Sequence, residues 1–209
     1  MVRYAVLDLE MCKVPKSHKK ARNINEIIEI GAVLLDEDYN SVDEFKTFVS
    51  PEEGVIDSYI HELTGISQED LEGAPDLKTA LEMFSSWIPE DAIVITWSDS
   101  DERQIRNETG RKGICGLCDF LDCCIDCQAD FSNRMETKKV YNLKEALIIT
   151  GIEYDEDIHD ALVDARNTAM LFTKMKKEEN LRLTPYYSYE QPGKMSYNPF
   201  ADLLTGCAV

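Results

Sequence analysis

The chain has 209 residues and sets 22 Lys and Arg against 40 Asp and Glu, a formal charge of −18. A hydrophobic share of 44% is enough to fill a core and excludes global disorder, while no stretch approaches the roughly 18 uncharged residues of a membrane helix. The acidity speaks against a protein that grips long nucleic acid through a broad basic face, because such binding rests on phosphate neutralisation.

The opening residues contain no long apolar run and no small-residue cleavage site, so a signal peptide is not expected. Seven cysteines without a secretion signal read as reduced thiols, which points to a cytoplasmic setting. Residues 3–9 form a short apolar run, expected as a strand buried on both faces. A basic loop with Lys13, Lys16, Lys19, Lys20 and Arg22 follows. Two further strands, Ile27 to Leu35 and Glu44 to Val49, complete an antiparallel meander.

From Asp76 the period becomes helical, with Leu77, Ala80, Leu81, Phe84 and Ile88 on one face and Asp76 as N-cap. Ala92 to Trp97 reads as a buried strand, followed by a short helix from Asp101 to Gly110. A strand is expected over residues 120–128, then a helix between Asn142 and Gly151, then a long helix from Asp160 to Lys177. A meander followed by alternating strands and helices predicts an α/β fold, a mixed sheet with helices on its faces. The proline- and tyrosine-rich residues 185–209 are expected as an irregular C-terminal extension of a domain spanning 1–184.

Three acidic segments carry the candidate chemistry. Asp8 and Glu10 are two apart on a strand and so face the same side, opposite Leu7 and Leu9. Two such carboxylates repel each other and persist best with a cation between them. Asp164 falls inside a helix among Ala161, Ala165 and Thr168, whose small side chains allow close approach to the sheet. An inward carboxylate there needs a cation or a donor. His159 stands just before that helix. Asp99 and Asp101 open the helix after the fourth strand, where the helix dipole alone would favour them, and they compete for a role.

Together these segments resemble the DnaQ-like 3′–5′ exonucleases of the DEDDh type, in the ribonuclease H-like superfamily. Asp8 and Glu10 match the family's Asp-x-Glu, Asp101 its second acidic position, and His159 with Asp164 its His-x4-Asp. The resemblance extends to Glu26–Val33 and to His61–Ile66, covers about residues 2 to 177, and looks most like the ERI-1 and KapD branch, several of whose members act on RNA. It implies a ribonuclease H-like mixed β-sheet flanked by α-helices. It also implies two Mg²⁺ or Mn²⁺ ions held by Asp8, Glu10, Asp101 and Asp164, and His159 as general base. An unperturbed imidazole pKa of about 6.5 suits that task. The product would be a nucleoside 5′-monophosphate.

By the same resemblance Thr64, Gly65 and Ile66 should lie near the substrate. Met11 replaces the small turn residues found after the first motif in many members and would form an apolar wall against the last base. The acidic excess narrows the expected substrate to short or single-stranded 3′ ends of RNA or DNA, or to nucleic acid brought by a protein partner; a homodimer stays open. The competing reading is a non-catalytic nucleic-acid or protein binding module on the same fold. Cys115, Cys118, Cys124 and Cys127 invite a zinc reading. Only five residues separate the two pairs, against roughly 12 to 20 in common zinc modules, so structural thiols are expected instead.

Overall fold

The computed structural model describes residues 2–15, 24–155 and 159–181. The expected extension over 185–209 and the basic positions from Lys16 to Arg22 lie outside the described residues. Strands β1 (Tyr4–Lys13), β2 (Asn25–Leu35) and β3 (Ser41–Phe48) form the antiparallel meander. Strands β4 (Ile93–Thr96) and β5 (Cys124–Asp126) extend the sheet on the other side of β1, each pairing parallel with its neighbour, in the order β3-β2-β1-β4-β5.

Parallel pairing requires crossover connections. The segment with α1 (Ser58–Thr64) and α2 (Leu77–Trp87) leads to β4, and α3 (Asp99–Lys112) leads to β5. Helices α4 (Cys127–Arg134), α5 (Leu143–Thr150) and α6 (Ala161–Lys177) follow. Among the described residues no helix is long and apolar enough to cross a membrane.

Strand periodicity divides the interior. Ala5, Leu7 and Leu9 of β1 pack with Leu77, Leu81 and Phe84 of α2 on one face. Val6, Val33 and Ile95 pack on the other face with Phe131 of α4, Leu147 of α5 and Ala165 and Phe172 of α6. A third, smaller cluster joins Cys12 and Ile28 to Ile60 of α1, Ile66 and Leu71.

Local signals set several ends. The Asp76 carboxylate accepts from Thr79 N–H at 2.8 Å to start α2. Asn142 and Glu145 form a reciprocal capping box at α5, which stops at the left-handed Gly151.

Two expectations are corrected. Strand β1 runs on to Lys13, so Asp8 and Glu10 sit inside a paired strand rather than at its end. Residues 120–128 are not one strand. A 3₁₀ turn (Asp119–Leu121) buries Leu121, β5 is only three residues long, and the Asp126 carboxylate then accepts from Ala129 N–H at 2.8 Å and starts α4.

Cys124 and Cys127 therefore do not share one strand: Cys124 opens β5 and Cys127 opens α4. The Cys124 thiol lies 3.8 Å from Thr96 Oγ1, and the buried Cys127 thiol lies 3.9 Å from Met175 Sδ on the α6 side of the sheet. Helix α1, absent from the sequence expectation, is started by the side chain of Asp57, which accepts from Ile60 N–H at 2.9 Å.

Candidate active site

Asp8 and Glu10 share the α6 face of β1 with Val6, while Leu7 and Leu9 face α2. Glu10 is only 7% exposed. The β1–β2 register slips between Glu10 and Met11, and a bulge at such a place re-aims the side chains around it. Met11 is half-buried just beyond the slip.

Strand β4 ends at Thr96, paired with Leu7, so the first turn of α3 begins beside the Asp8 level of the sheet. Helical phase then separates the two competing acids. Asp101 is buried, and Ile105 and Glu108, four and seven residues further on, are buried with it. Asp99 points outward and pairs with Arg103.

The third segment is docked by main-chain contact. Ala161 N–H donates to Glu29 Oε2 at 2.9 Å, and the Asp160 carboxylate caps α6 by accepting from Leu162 and Val163. One turn later Asp164 is buried among Ala161, Ala165 and Thr168, the small neighbours read from the sequence. Its Oδ2 accepts from His159 N–H at 3.0 Å, whereas its Oδ1 is buried without a hydrogen-bond partner. His159 itself is exposed and sits at φ 77°, a left-handed conformation that its surroundings must hold.

These turns bring Glu10, His159 and Asp164 together: one ligand atom from each lies within 4.8 Å of the others. Electrostatics extends the group to Asp8 and Asp101. Burial, then the charges of Asp101, Asp164, Glu10 and Glu29, push the Asp8 carboxyl well above its ordinary range. Burial, then the charges of Asp164, Glu29, Asp101 and Asp160, raise Glu10 to about 9. Burial also raises Asp101 to about 7 and raises Asp164, although the His159 N–H partly offsets the latter.

Carboxylates that raise one another's pKa, with one oxygen left without a hydrogen bond, repel one another when ionised and need either protons or a cation to relieve them. They suit a hard divalent cation with oxygen ligands. Among the described residues, Glu10, His159 and Asp164 are the group of His, Cys, Asp and Glu side chains whose ligand atoms could meet at one metal ion, and no cysteine takes part.

A cleft of about 570 Å³ opens beside it, lined by Asn142, Leu143, Lys144, Leu147, His159, Asp164 and Asn167. Sequence reasoning did not single out Lys144 or Asn167. Their positions hold the signal: Asn167 follows Asp164 by three residues on one helix face, and Lys144 lies in the first turn after the Asn142 cap. Thr64, Gly65 and Ile66 close α1. The Thr64 hydroxyl donates to Ile60 C=O and accepts from Ile66 N–H, Gly65 is left-handed and exposed, and Ile66 is buried in the third cluster.

The fold is that of the ribonuclease H-like exonucleases. The solved nuclease domain of 3′hExo, described as a DEDDh family member bound to rAMP, matches with a TM-score of 0.74 at 21% identity, over 87% of this chain and 96% of that one. The exonuclease model RNase_T matches residues 5–172, and the chain belongs to that family.

Among curated proteins it is similar to ERI1 exoribonuclease 2 of Danio rerio, 34% identical over 181 residues. That alignment covers 75% of this chain and 32% of the relative, so the chain spans about a third of that relative's length. It is also similar to the 3′-5′ exonuclease Snipper of Drosophila melanogaster, 28% identical over 188 residues, covering 77% of this chain and 66% of that protein.

Proposed function

We propose that this chain is a metal-dependent 3′–5′ exonuclease that releases nucleoside 5′-monophosphates from short or single-stranded 3′ ends of RNA or DNA. The observation that carries the reading is the meeting of Glu10, His159 and Asp164 within 4.8 Å, next to Asp8 and Asp101 in one mutually repelling carboxylate group. Asp8, Glu10, Asp101 and Asp164 would hold two Mg²⁺ or Mn²⁺ ions. Bound there, such ions supply activation of a water and stabilisation of the leaving 3′ oxygen.

The remaining work belongs to the side chains. His159 lines the cleft with its main chain fixed to Asp164, and its ring would accept the proton of the attacking water. Asp164, through that same hydrogen bond, orients the base while offering its free oxygen to a cation. Met11, half-buried just past the slip in the β1–β2 register, is the proposed apolar wall for the terminal base. Thr64, Gly65 and Ile66 are the proposed neighbours of the terminal nucleotide, with Ile66 acting from beneath because it is buried.

The charge of −18 supports short ends as substrate. Longer or structured nucleic acid would need basic surface from a protein partner or from a second copy of the chain. The names of the relatives make RNA 3′ ends the first substrates to test. Free cysteines, four of them buried or half-buried, suit the reducing cytoplasm proposed as its compartment.

The deciding assay follows a 5′-labelled and a 3′-labelled oligonucleotide, as RNA and as DNA, with Mg²⁺ and with EDTA. The expected result is a descending 5′-labelled ladder, early release of a labelled mononucleotide from the 3′ label, and no reaction in EDTA. Metal-independent cleavage, or binding of the strand without any cleavage, would overturn the proposal.

A further inference from the structure

We infer that Lys46, on the edge strand β3, is a positioning residue that holds His159 in place through Asp160. The inference rests on reading His159 as the general base of the exonuclease.

The Lys46 ammonium joins two carboxylates from different layers. One is Glu29 Oε1 on β2, at 3.0 Å, and the other is Asp160 at the start of α6. Glu29 is 1% exposed and lies opposite Glu10 in the β1–β2 register, so without a cation it would be a buried charge facing another. Its second oxygen accepts from Ala161 N–H, and Asp160 caps Leu162 and Val163. Lys46, Glu29, Asp160 and the first turn of α6 thus close a ring across β3, β2 and α6.

His159 immediately precedes that ring. It is exposed, left-handed at φ 77°, and tied by its N–H to Asp164 Oδ2. A non-glycine residue stays in that conformation only when its neighbours hold it there. The neighbour on the helix side is Asp160, and Lys46 holds the Asp160 carboxylate.

A second link between the same elements provides the control. Arg166 makes a bidentate pair with Glu44, Nε to Oε1 at 2.7 Å and Nη2 to Oε2 at 2.6 Å, further along α6. It docks the helix on β3 without touching Asp160. Loss of Glu44 should weaken docking alone, whereas loss of Lys46 should also release the turn that carries the imidazole.

The test compares kcat, KM and thermal midpoint for wild type, Lys46→Met, Lys46→Arg, Asp160→Asn and Glu44→Gln on a short oligonucleotide with saturating Mg²⁺. Asp160→Asn keeps a capping side chain but removes the charge that meets Lys46, so it reads the same link if Lys46→Met folds poorly. Lys46→Met and Asp160→Asn are expected to lower kcat by about 10²-fold, the scale of a small misplacement of a reacting group, with KM changed less than about twofold. Lys46→Arg should recover most of the rate, and Glu44→Gln should lower the midpoint while keeping kcat.

Unchanged kcat in Lys46→Met or in Asp160→Asn, or an equal loss in Glu44→Gln, overturns the inference. Wild-type protein inactive on every oligonucleotide overturns the exonuclease reading instead. The His159 ring resonance then still decides the positioning, since it should shift in Lys46→Met and not in Glu44→Gln.

Discussion

Gly31 of β2 lies against the backbone of Ala161: a Cβ at Gly31 would stand 2.2 Å from the Ala161 carbonyl carbon. It would stand equally close to Leu162 N. Gly31 is the cross-strand partner of Asp8, so the missing side chain is what lets the start of α6 reach the level of the carboxylates on β1. Any side chain here must push the helix, because its contacts are backbone atoms with no rotamer to yield. Gly31→Ala is expected to cost about 1–3 kcal/mol as an overpacking change. In a chain of this size that lowers the thermal midpoint by roughly 2–4 °C per kcal/mol. Activity should fall further than stability does, since Asp164 and His159 move with the helix. A Gly31→Ala protein with wild-type midpoint and rate would contradict the close approach.

Asp101 and Asp99 are two residues apart and make opposite predictions. Asp101 is buried, and its charge is the largest neighbouring influence on Asp8, while Asp99 is exposed and paired with Arg103. Asp101→Asn is expected to cut the metal-dependent rate by more than the roughly 10- to 100-fold typical of residues that only support a metal ligand. Asp99→Asn should leave the rate within about twofold, consistent with the small worth of exposed ion pairs. Steady-state rates of the two variants at equal Mg²⁺ decide it, and a larger loss in Asp99→Asn would reverse the assignment.

What the sequence made legible was whatever is encoded locally. Alternation in β1 put Asp8 and Glu10 on the face opposite Leu7 and Leu9. The small residues around Asp164 announced a helix close to the sheet, and the caps at Asp76 and Asn142 and the stop at Gly151 were readable from single residues. The apolar stretch 120–128 misled because it has no clear period. Its structure turns on Asp126, whose side chain caps a helix instead of lying along a strand. The hold of Lys46 on Asp160 spans 114 residues and joins an exposed edge strand to a helix start, so no local pattern betrays it. Long-range ion pairs of this kind depend on the assembled sheet, which the sequence shows only in outline.

The raised carboxyl pKa values predict how metal and pH interact. Glu10 moves from an ordinary 4.5 to about 9, and Asp101 to about 7. With the folded value above the unfolded one, the folded state keeps a proton that the unfolded chain has released. Stability from these groups is therefore full below about pH 4.5 and is lost as pH rises toward 9. Carboxyls lowered by folding, such as Glu26 and Asp160, act the other way and lose their contribution only at more acid pH. The metal-free thermal midpoint should then decline from about pH 5 to pH 9. Added Mg²⁺ should restore more of it at the alkaline end, where the carboxylates are free to bind. Glu10→Gln removes the cost of holding a proton that the unfolded chain has released, so it should raise the metal-free midpoint near pH 8 while abolishing most of the activity. A flat metal-free profile between those pH values would sink the argument.

Lys144 supplies the last prediction. It shares the 570 Å³ cleft with His159 and Asp164 and is the one Lys or Arg in that lining. Its ammonium lies 5.9 Å from the Tyr154 ring centroid, and among the described residues no carboxylate pairs with it. By contrast Lys46, Lys112, Arg106 and Arg166 are all engaged by acids. Under the proposed function, this ammonium, in the same cleft as Asp164, would meet a phosphate of the strand. A hydrogen bond to a charged group is worth about 1.5–3 kcal/mol, so Lys144→Ala should raise KM for a short oligonucleotide by roughly 10- to 100-fold. It should change kcat little, because the contact is made equally before and during reaction. Lys144→Glu should weaken binding further, and its deficit against wild type should shrink as salt rises, as expected for a lost phosphate contact. An unchanged KM in both variants would mean that the strand enters the site along another wall.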